Sequence, residues 1–464
     1  MEASETLSTQ SVSVTTPVSG VSALRQLHEG NAALPRALFV LFGFSSWSVL
    51  NALWLQLPNL YTSVPEGFQL ATYMLAALSL TNLPPLLMSF LSSEQQSRLP
   101  YQQIIVGLIF SSSLLSFLLA AFWDSRVRIG GQEHSVALLL LVALSGVANN
   151  STGVVFWPWT GKQAKEFTKW LGIGEGMSGL LPGALAVIQG AGSRRLLFSA
   201  SAFFSCIGVF NAASLLAFVG LWRMETQGLL RENVEKGDDE IALASTEEEA
   251  STSRDSERLQ TDSIPLLGVA VQESATARKG GPSLDALVAL LREPSTWLCA
   301  SQTWFALWAF GILQSVNSYA TASYPRAATV LLWCTVLSYV MDPVGRAVVG
   351  LPGLRMERPQ DIVLPIVVFT CSASVILAAA AMSPNAPLKD VPGGAALVIL
   401  CNAVCAGLFG FVNTGVYLIG RHIFPEGTLE RFNWNASAAV QLGSIIGAGF
   451  SLLFVVYLQL FDSE

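Results

Sequence analysis

Apolar runs of about twenty residues alternate along this chain with short polar connections. Eleven such segments lie near residues 36–58, 67–91, 101–123, 135–159, 173–191, 198–222, 295–317, 326–348, 361–383, 394–418 and 433–461. A helix rises about 1.5 Å per residue, so a run of this length crosses a hydrocarbon core of about 30 Å. The pattern predicts an all-α integral membrane protein with about 11 transmembrane helices. It breaks once, in residues 224–292, where EKGDDEIALASTEEEASTSRDSERLQTDS is acidic, rich in Ser and Thr and without aromatics. Such a segment cannot bury enough apolar surface to fold alone. The predicted organisation is a disordered cytoplasmic tail (1–35), a six-helix half (36–222), a disordered acidic cytoplasmic linker (223–294) and a five-helix half (295–464).

Composition agrees with this reading. Of 464 residues, 52% are hydrophobic and only 12% charged, with a mean hydropathy of +0.52; soluble domains carry about 25% charged residues. The net charge of −7 comes mostly from the linker and does not point to nucleic acid. Residues 1–30 lack the basic start and short apolar core of a secretory signal, so the first span is expected to act as its own signal. The six cysteines all fall in apolar runs without metal-ligand spacing, which makes them packing residues. Lysine and arginine placement sets the orientation. With the N-terminus in the cytoplasm, the external loops hold six basic residues (Arg126, Arg128, Arg194, Arg195, Arg326 and Lys389) out of 25. The N-terminus is therefore expected inside and the C-terminus outside.

Six spans, a long cytoplasmic linker and five more is the layout of carriers built as two helical halves, with the substrate near the bilayer midplane between them. Intramembrane catalysis needs paired carboxylates, a metal motif or a nucleophile beside a base. The chain has three histidines, all at loops or span ends, and no carboxylate at the middle of a span, so no enzyme, cofactor or metal site is expected. Ion-driven carriers keep ionisable groups at depth. The candidates for coupling or conformational roles are Glu175, at the start of span five in GIGEGMSGLLPG, and Asp342 with Arg346, four apart and expected to pair across one helical turn. The absence of a deeper carboxylate favours facilitated diffusion.

The spans do hold neutral amides and aromatics. Span one has Trp47, Asn51, Trp54 and Gln56; span four has Asn149, Asn150, Thr152, Phe156, Trp157 and Trp159. Span seven has Trp304, Trp308, Gln314 and Asn317, with Tyr319 beyond, and spans ten and eleven add Asn413, Tyr417, Asn435 and Gln441. An unpaired amide in hydrocarbon costs several kcal/mol, so each either bonds a neighbouring helix or lines a cavity. Trp47, Asn51 and Trp54 fall at i, i+4 and i+7 and share a helical face. A face of indole, amide and indole suits a flat heteroaromatic ring with hydrogen-bonding edges.

Several stretches together resemble one family, the eukaryotic riboflavin transporters of the solute-carrier type. FGFSSWSVLNALWLQLPNL with VPEGFQLATY resembles its first span and loop. NNSTGVVFWPW followed by GIGEGMSGLLPGALAVIQG is similar to its fourth and fifth spans, GILQSVNSYATASYPRAATVLLWCTVLS to spans seven and eight, and AAVQLGSIIGA to its last. The resemblance covers roughly residues 36–222 and 295–461. It implies a major-facilitator-like carrier that takes up riboflavin across the plasma membrane independently of sodium, with the lipid bilayer as its other partner. By the same carry-over Asn51, Trp54, Thr152, Phe156, Gln314, Asn317 and Tyr319 become ligand contacts; Trp47, Gln56 and Gln441 complete the expected substrate-binding set. Two departures stand out. Gln56 replaces the family's acidic residue, and YATASYPRA lacks the cysteine of the corresponding family segment and shifts its proline. The alternatives are an equilibrative nucleoside-type carrier, which shares the eleven-span layout, and a non-transporting membrane receptor.

Overall fold

A computed structural model of the chain describes residues 33–83, 87, 98–193, 195–230, 293–386, 388–391 and 393–461. The predicted N-terminal tail, but for its last residues, most of the linker, and the last residues of the second predicted span (84–86 and 88–91) lie outside the described residues. In the first half the helices are α1 (Ala33–Phe44), α2 (Ser48–Leu60), α3 (Leu70–Leu80), α4 (Tyr101–Phe122), α5 (Val136–Asn150), α6 (Thr152–Thr160), α7 (Lys165–Gln189) and α8 (Ala200–Thr226). In the second half they are α9 (Pro294–Ala306), α10 (Leu313–Ala322), α11 (Ala327–Val348), α12 (Val363–Ala381), α13 (Gly394–Ile423) and α14 (Glu426–Ser451). A π-turn, Leu307–Ile312, joins α9 to α10, and another, Leu452–Tyr457, extends α14.

Among the described residues, eight helices are long and apolar enough to cross a membrane, and α1 with α2 makes a ninth if the pair is one span bent by 53°. The bend has a local cause. Ser45 and Ser46 donate their hydroxyls back to the carbonyls of Phe42 (2.7 Å) and Gly43 (2.8 Å), where the helix would otherwise continue. The seventh predicted span is the run from Pro294 to Ala322, and the second is represented by Gly67–Leu80. Among the described residues the strands form one short hairpin, Val127–Ile129 against Gln132–His134. Its two-residue loop, Gly130–Gly131, takes positive φ at both positions, as the tight turn matching strand twist requires.

Small residues set the helix crossings. Gly43 of α1 and Gly174 of α7 meet backbone to backbone: a Cβ on Gly174 would stand 2.8 Å from the Gly43 Cα. Gly311 in the first π-turn faces Gly447 of α14 at a comparable 2.5 Å. In a membrane, such close backbone contact supplies packing that the hydrophobic effect cannot. Gly174→Val is therefore expected to cost about 1–3 kcal/mol or more through overpacking, lowering both melting temperature and surface expression. An unchanged melting temperature would show that this crossing is not tight.

Amides tie the first half together. Asn149, fully buried, accepts from the backbone N–H of Leu50 (3.3 Å) and donates to Ser112 (3.1 Å), while Asn150 donates to Thr81 (2.9 Å) and Asn82 (2.6 Å). Of the two readings open for these residues, helix bonding is the one observed. Glu225, near the end of α8, accepts from Gln102, Trp159 and Gln163 at 3.2, 3.2 and 2.8 Å. Trp159 is thus a buried donor within the bundle.

The two halves meet at the end of the bundle that carries the 61–69, 190–199 and 323–326 connections. Thr72 and Ser315 join hydroxyl to hydroxyl. Ser318 donates to the carbonyl of Phe68 (3.3 Å), and Thr329 to that of Gly192 (3.2 Å). A column of rings crosses the same seam: Tyr61 to Phe68 at 4.9 Å, Phe68 to Tyr319 at 5.7 Å and Tyr319 to Phe461 at 5.7 Å. Nearer mid-depth, Asn82 donates to Ser444 at 3.5 Å.

Candidate functional site

Below this closed end, polar side chains from both halves line up at the level where α2, α7, α11, α13 and α10 approach one another. Asn51 of α2 donates to the Ser178 hydroxyl of α7 at 3.1 Å. The next residue of α7 is Gly179, and a Cβ there would touch the ring of Tyr339 of α11 at 3.1–3.3 Å. Adjacent to Tyr339, Ser338 donates to the carbonyl of Asn402 of α13 (3.4 Å), and the Asn402 carboxamide accepts from Asn317 of α10 (3.0 Å). A polar band thus runs Asn51, Ser178, Tyr339, Ser338, Asn402, Asn317, from one half to the other.

The band is incompletely satisfied on the helix from Pro294 to Ala322. The oxygens of Gln314 and Asn317 and the indole N–H of Trp308 are buried and without a hydrogen-bond partner. Leaving such a group unmet costs about 1–3 kcal/mol, so one donor and three acceptors on this helix, Gln302 Oε1 being the third, call for water or a ligand. Gln441 on α14 is half-buried and forms no hydrogen bond with the described residues.

One to two turns toward the opposite end lie the charges. Arg346 donates from Nε to Asp342 at 3.0 Å, the i, i+4 pair that the sequence predicts. Glu175 accepts from the indole of Trp157 at 2.9 Å. Gly176 approaches Pro343, whose ring carbon would lie 3.7 Å from a Cβ there, which brings Glu175 opposite the Asp342–Arg346 turn, within electrostatic reach of both. Tyr417 of α13 is within reach of Arg346. Glu175, Tyr339 and Tyr417 are half-buried and the Arg346 side chain keeps 42% of its surface. These groups stand at the accessible junction of α7, α11 and α13, the crevice between the halves.

The expected substrate-binding set divides accordingly. Trp47, Asn51, Gln314, Asn317 and Gln441 are half-buried, and Trp54, 8% exposed, lies in an apolar cluster drawn mostly from the first half, against which Trp47 packs. The other four have protein partners or burial of their own. Gln56 is fully buried, donating to Gln189 (2.6 Å) and accepting from Asn59 (2.9 Å). Thr152 donates to the carbonyl of Asn149 at 2.7 Å and is 1% exposed. Phe156 lies in an aromatic cluster against Phe42 at 4.4 Å, and Tyr319 belongs to the ring column of the closed end. Sequence reasoning missed Ser178, Ser338, Tyr339 and Asn402. The usable signals were the lone amide in ILCNAV and a tyrosine three residues before Asp342, on the same helical face.

The family described as "Solute carrier family 52, riboflavin transporter" matches residues 31–197 and 194–463. The chain is similar to riboflavin transporter member 3-B of Danio rerio, with 27% identity over 466 residues, covering 92% of this chain and 96% of that protein. It is also similar to member 2 of Sus scrofa, with 28% identity over 446 residues, 89% of this chain and 92% of that one. Among solved structures, the crystal structure of the nucleoside transporter NupG superposes with a TM-score of 0.54 at 11% identity, covering 92% of this chain and 94% of that chain. That likeness is one of fold.

Proposed function

The chain belongs to the solute carrier family 52 riboflavin transporters, and from that premise we propose that it carries riboflavin by facilitated, sodium-independent alternating access between its two halves. The observation that carries the reading to specific residues is the band of amides at mid-depth, left with unmet polar atoms on the helix holding Gln314 and Asn317. An isoalloxazine ring offers a flat face for Trp47, Trp54 and Tyr339, and an edge of alternating donors and acceptors for Asn51, Gln314, Asn317 and Gln441. The closed end, with its connections at 61–69, 190–199 and 323–326, is the extracellular one under the basic-residue orientation, with the N-terminus cytoplasmic, so the crevice opens inward. Residence in the plasma membrane and a non-enzymatic role belong to the same reading.

Labelled riboflavin uptake by cells expressing the chain tests it, with lumichrome and adenosine as competitors and sodium and pH varied separately. Saturable uptake blocked by lumichrome and not by adenosine, and indifferent to sodium, is expected. Adenosine uptake without riboflavin uptake would assign the protein to the nucleoside class whose fold it shares, and uptake of neither would leave the receptor alternative.

A further inference from the structure

We infer that Glu175, Asp342 and Arg346 form a subsite for the polyol tail of a flavin, separate from the band that takes its ring; this rests on the riboflavin reading above. Ionised groups within membrane spans are expensive and are kept where they face a partner or a water-filled cavity. The Asp342–Arg346 pair faces such a crevice. It uses only Nε of the guanidinium and Oδ2 of the carboxylate. The Oδ1 oxygen is buried against Gly410 of α13, where a Cβ would stand 2.7 Å from it, so the acceptors open to a ligand are Oδ2 and the Glu175 carboxyl, and the remaining guanidinium N–H groups belong to a side chain with 42% of its surface accessible. Glu175 adds an acceptor from the other half, held by the Trp157 indole.

Free donors beside free acceptors match a chain of hydroxyls, each of which donates once and accepts twice. A purely cationic pocket would suit a phosphate instead. Here two carboxyl groups face one guanidinium, with the Tyr417 and Tyr339 phenols as the other titratable groups at the crevice. The formal balance is therefore unfavourable to an anionic tail.

The spacing fits one molecule across both subsites. From Ser178 to Glu175 is one turn of α7, and from Tyr339 to Asp342 and Arg346 is one to two turns of α11, so the charged groups lie about 5–10 Å along the axis from the band. A five-carbon polyol attached to the ring edge spans that gap.

The decisive experiment measures equilibrium binding to the purified full chain of three probes: riboflavin, lumiflavin (the same ring with a methyl group for the tail) and flavin mononucleotide. Asp342→Asn and Arg346→Gln are expected to weaken riboflavin tenfold or more while leaving lumiflavin within twofold, and the mononucleotide should bind the wild type less tightly than riboflavin. Lumiflavin doubles as the control for folding. Should Asp342→Asn lose both ligands, Glu175→Gln, which leaves the Asp342–Arg346 pair intact, decides by the same criterion. Equal weakening of riboflavin and lumiflavin in Glu175→Gln and Arg346→Gln would make the cluster a latch between the halves and overturn the assignment. So would unchanged riboflavin binding, or mononucleotide binding as tight as riboflavin. A wild type that binds neither riboflavin nor lumiflavin overturns the riboflavin reading itself, and this subsite with it.

Discussion

Oxidation of a Thr72→Cys/Ser315→Cys double variant is expected to abolish uptake, and reduction to restore it. The two hydroxyls are in direct contact across the seam between α3 and α10, so their replacement sulfurs start within reach of a disulfide, whose geometry tolerates Cα separations of about 4.4–6.8 Å. Alternating access requires this seam to part. Its polar and ring contacts are individually weak: three hydrogen bonds between neutral groups (Thr72–Ser315, Ser318–Phe68 and Thr329–Gly192) and the Phe68–Tyr319 ring pair, beside apolar packing of Leu331, Leu332, Val336 and Ala448 against the first half. Neutral hydrogen bonds contribute about 0.5–1.5 kcal/mol each and aromatic pairs a similar amount, a scale that lets a carrier open without a large barrier. A covalent bond removes that freedom. Single cysteine variants should keep their activity, since each loses only one weak contact. A membrane-impermeant reductant added outside should restore uptake, because the seam lies on the extracellular side in the basic-residue orientation. Rescue only by a permeant reductant would invert that orientation, and full uptake by the oxidised pair would show that the seam does not open during transport.

This seam was not legible in the sequence, although its residues were. The spans were, because hydrocarbon thickness acts on each run of residues independently and leaves its mark in composition alone. The Asp342–Arg346 pair was legible for a related reason: its partners are four apart, and helix geometry brings them together without tertiary information. Gln56 and Asn51 are both amides on one helix and read alike in the sequence. What separates them is Gln189, 133 residues away, which meets Gln56 and buries it. Phe156 reads as a stacking residue until Phe42, itself against Phe218, is placed on it. Its burial decides its role, and no local pattern encodes that burial. The bend before α2 has local causes in Ser45 and Ser46, but a serine pair within an apolar run spells a straight helix as readily as a bent one. Tyr339 was passed over because a tyrosine within an apolar run has no local mark of facing a crevice. Its neighbours in space, Gly179 and the Asn51–Ser178 pair, come from the other half.

Tyr339→Ala is expected to raise the KM for riboflavin about ten- to hundredfold with little change in maximal rate. The ring rests on α7 at Gly179, where the missing side chain of that glycine leaves it room. The chain neighbours on either side of this contact carry the polar pairs: Ser178, next to Gly179, bonds Asn51, and Ser338, next to Tyr339, bonds Asn402. Stacking of a planar base on one aromatic side chain contributes about 1–3 kcal/mol, and about 1.4 kcal/mol is a tenfold change in affinity. Tyr339→Phe keeps the ring and loses the hydroxyl, so it should stay near the wild type if stacking is the contribution. A KM that rises equally in both variants would assign the effect to the phenol instead. Asn51→Leu provides the companion test on the other half. It removes the donor to Ser178 and one polar group at the ring edge, and it should raise KM by about one order of magnitude, on the scale of a lost hydrogen bond that leaves a partner unmet. The double variant separates position from coincidence. If both residues touch one bound ring, removing the first lets the ligand shift and lowers the cost of removing the second, so their effects fall short of additive. Strict additivity would place Tyr339 and Asn51 on different parts of the path, and an unchanged KM in Tyr339→Ala would take the flavin ring away from α11 altogether.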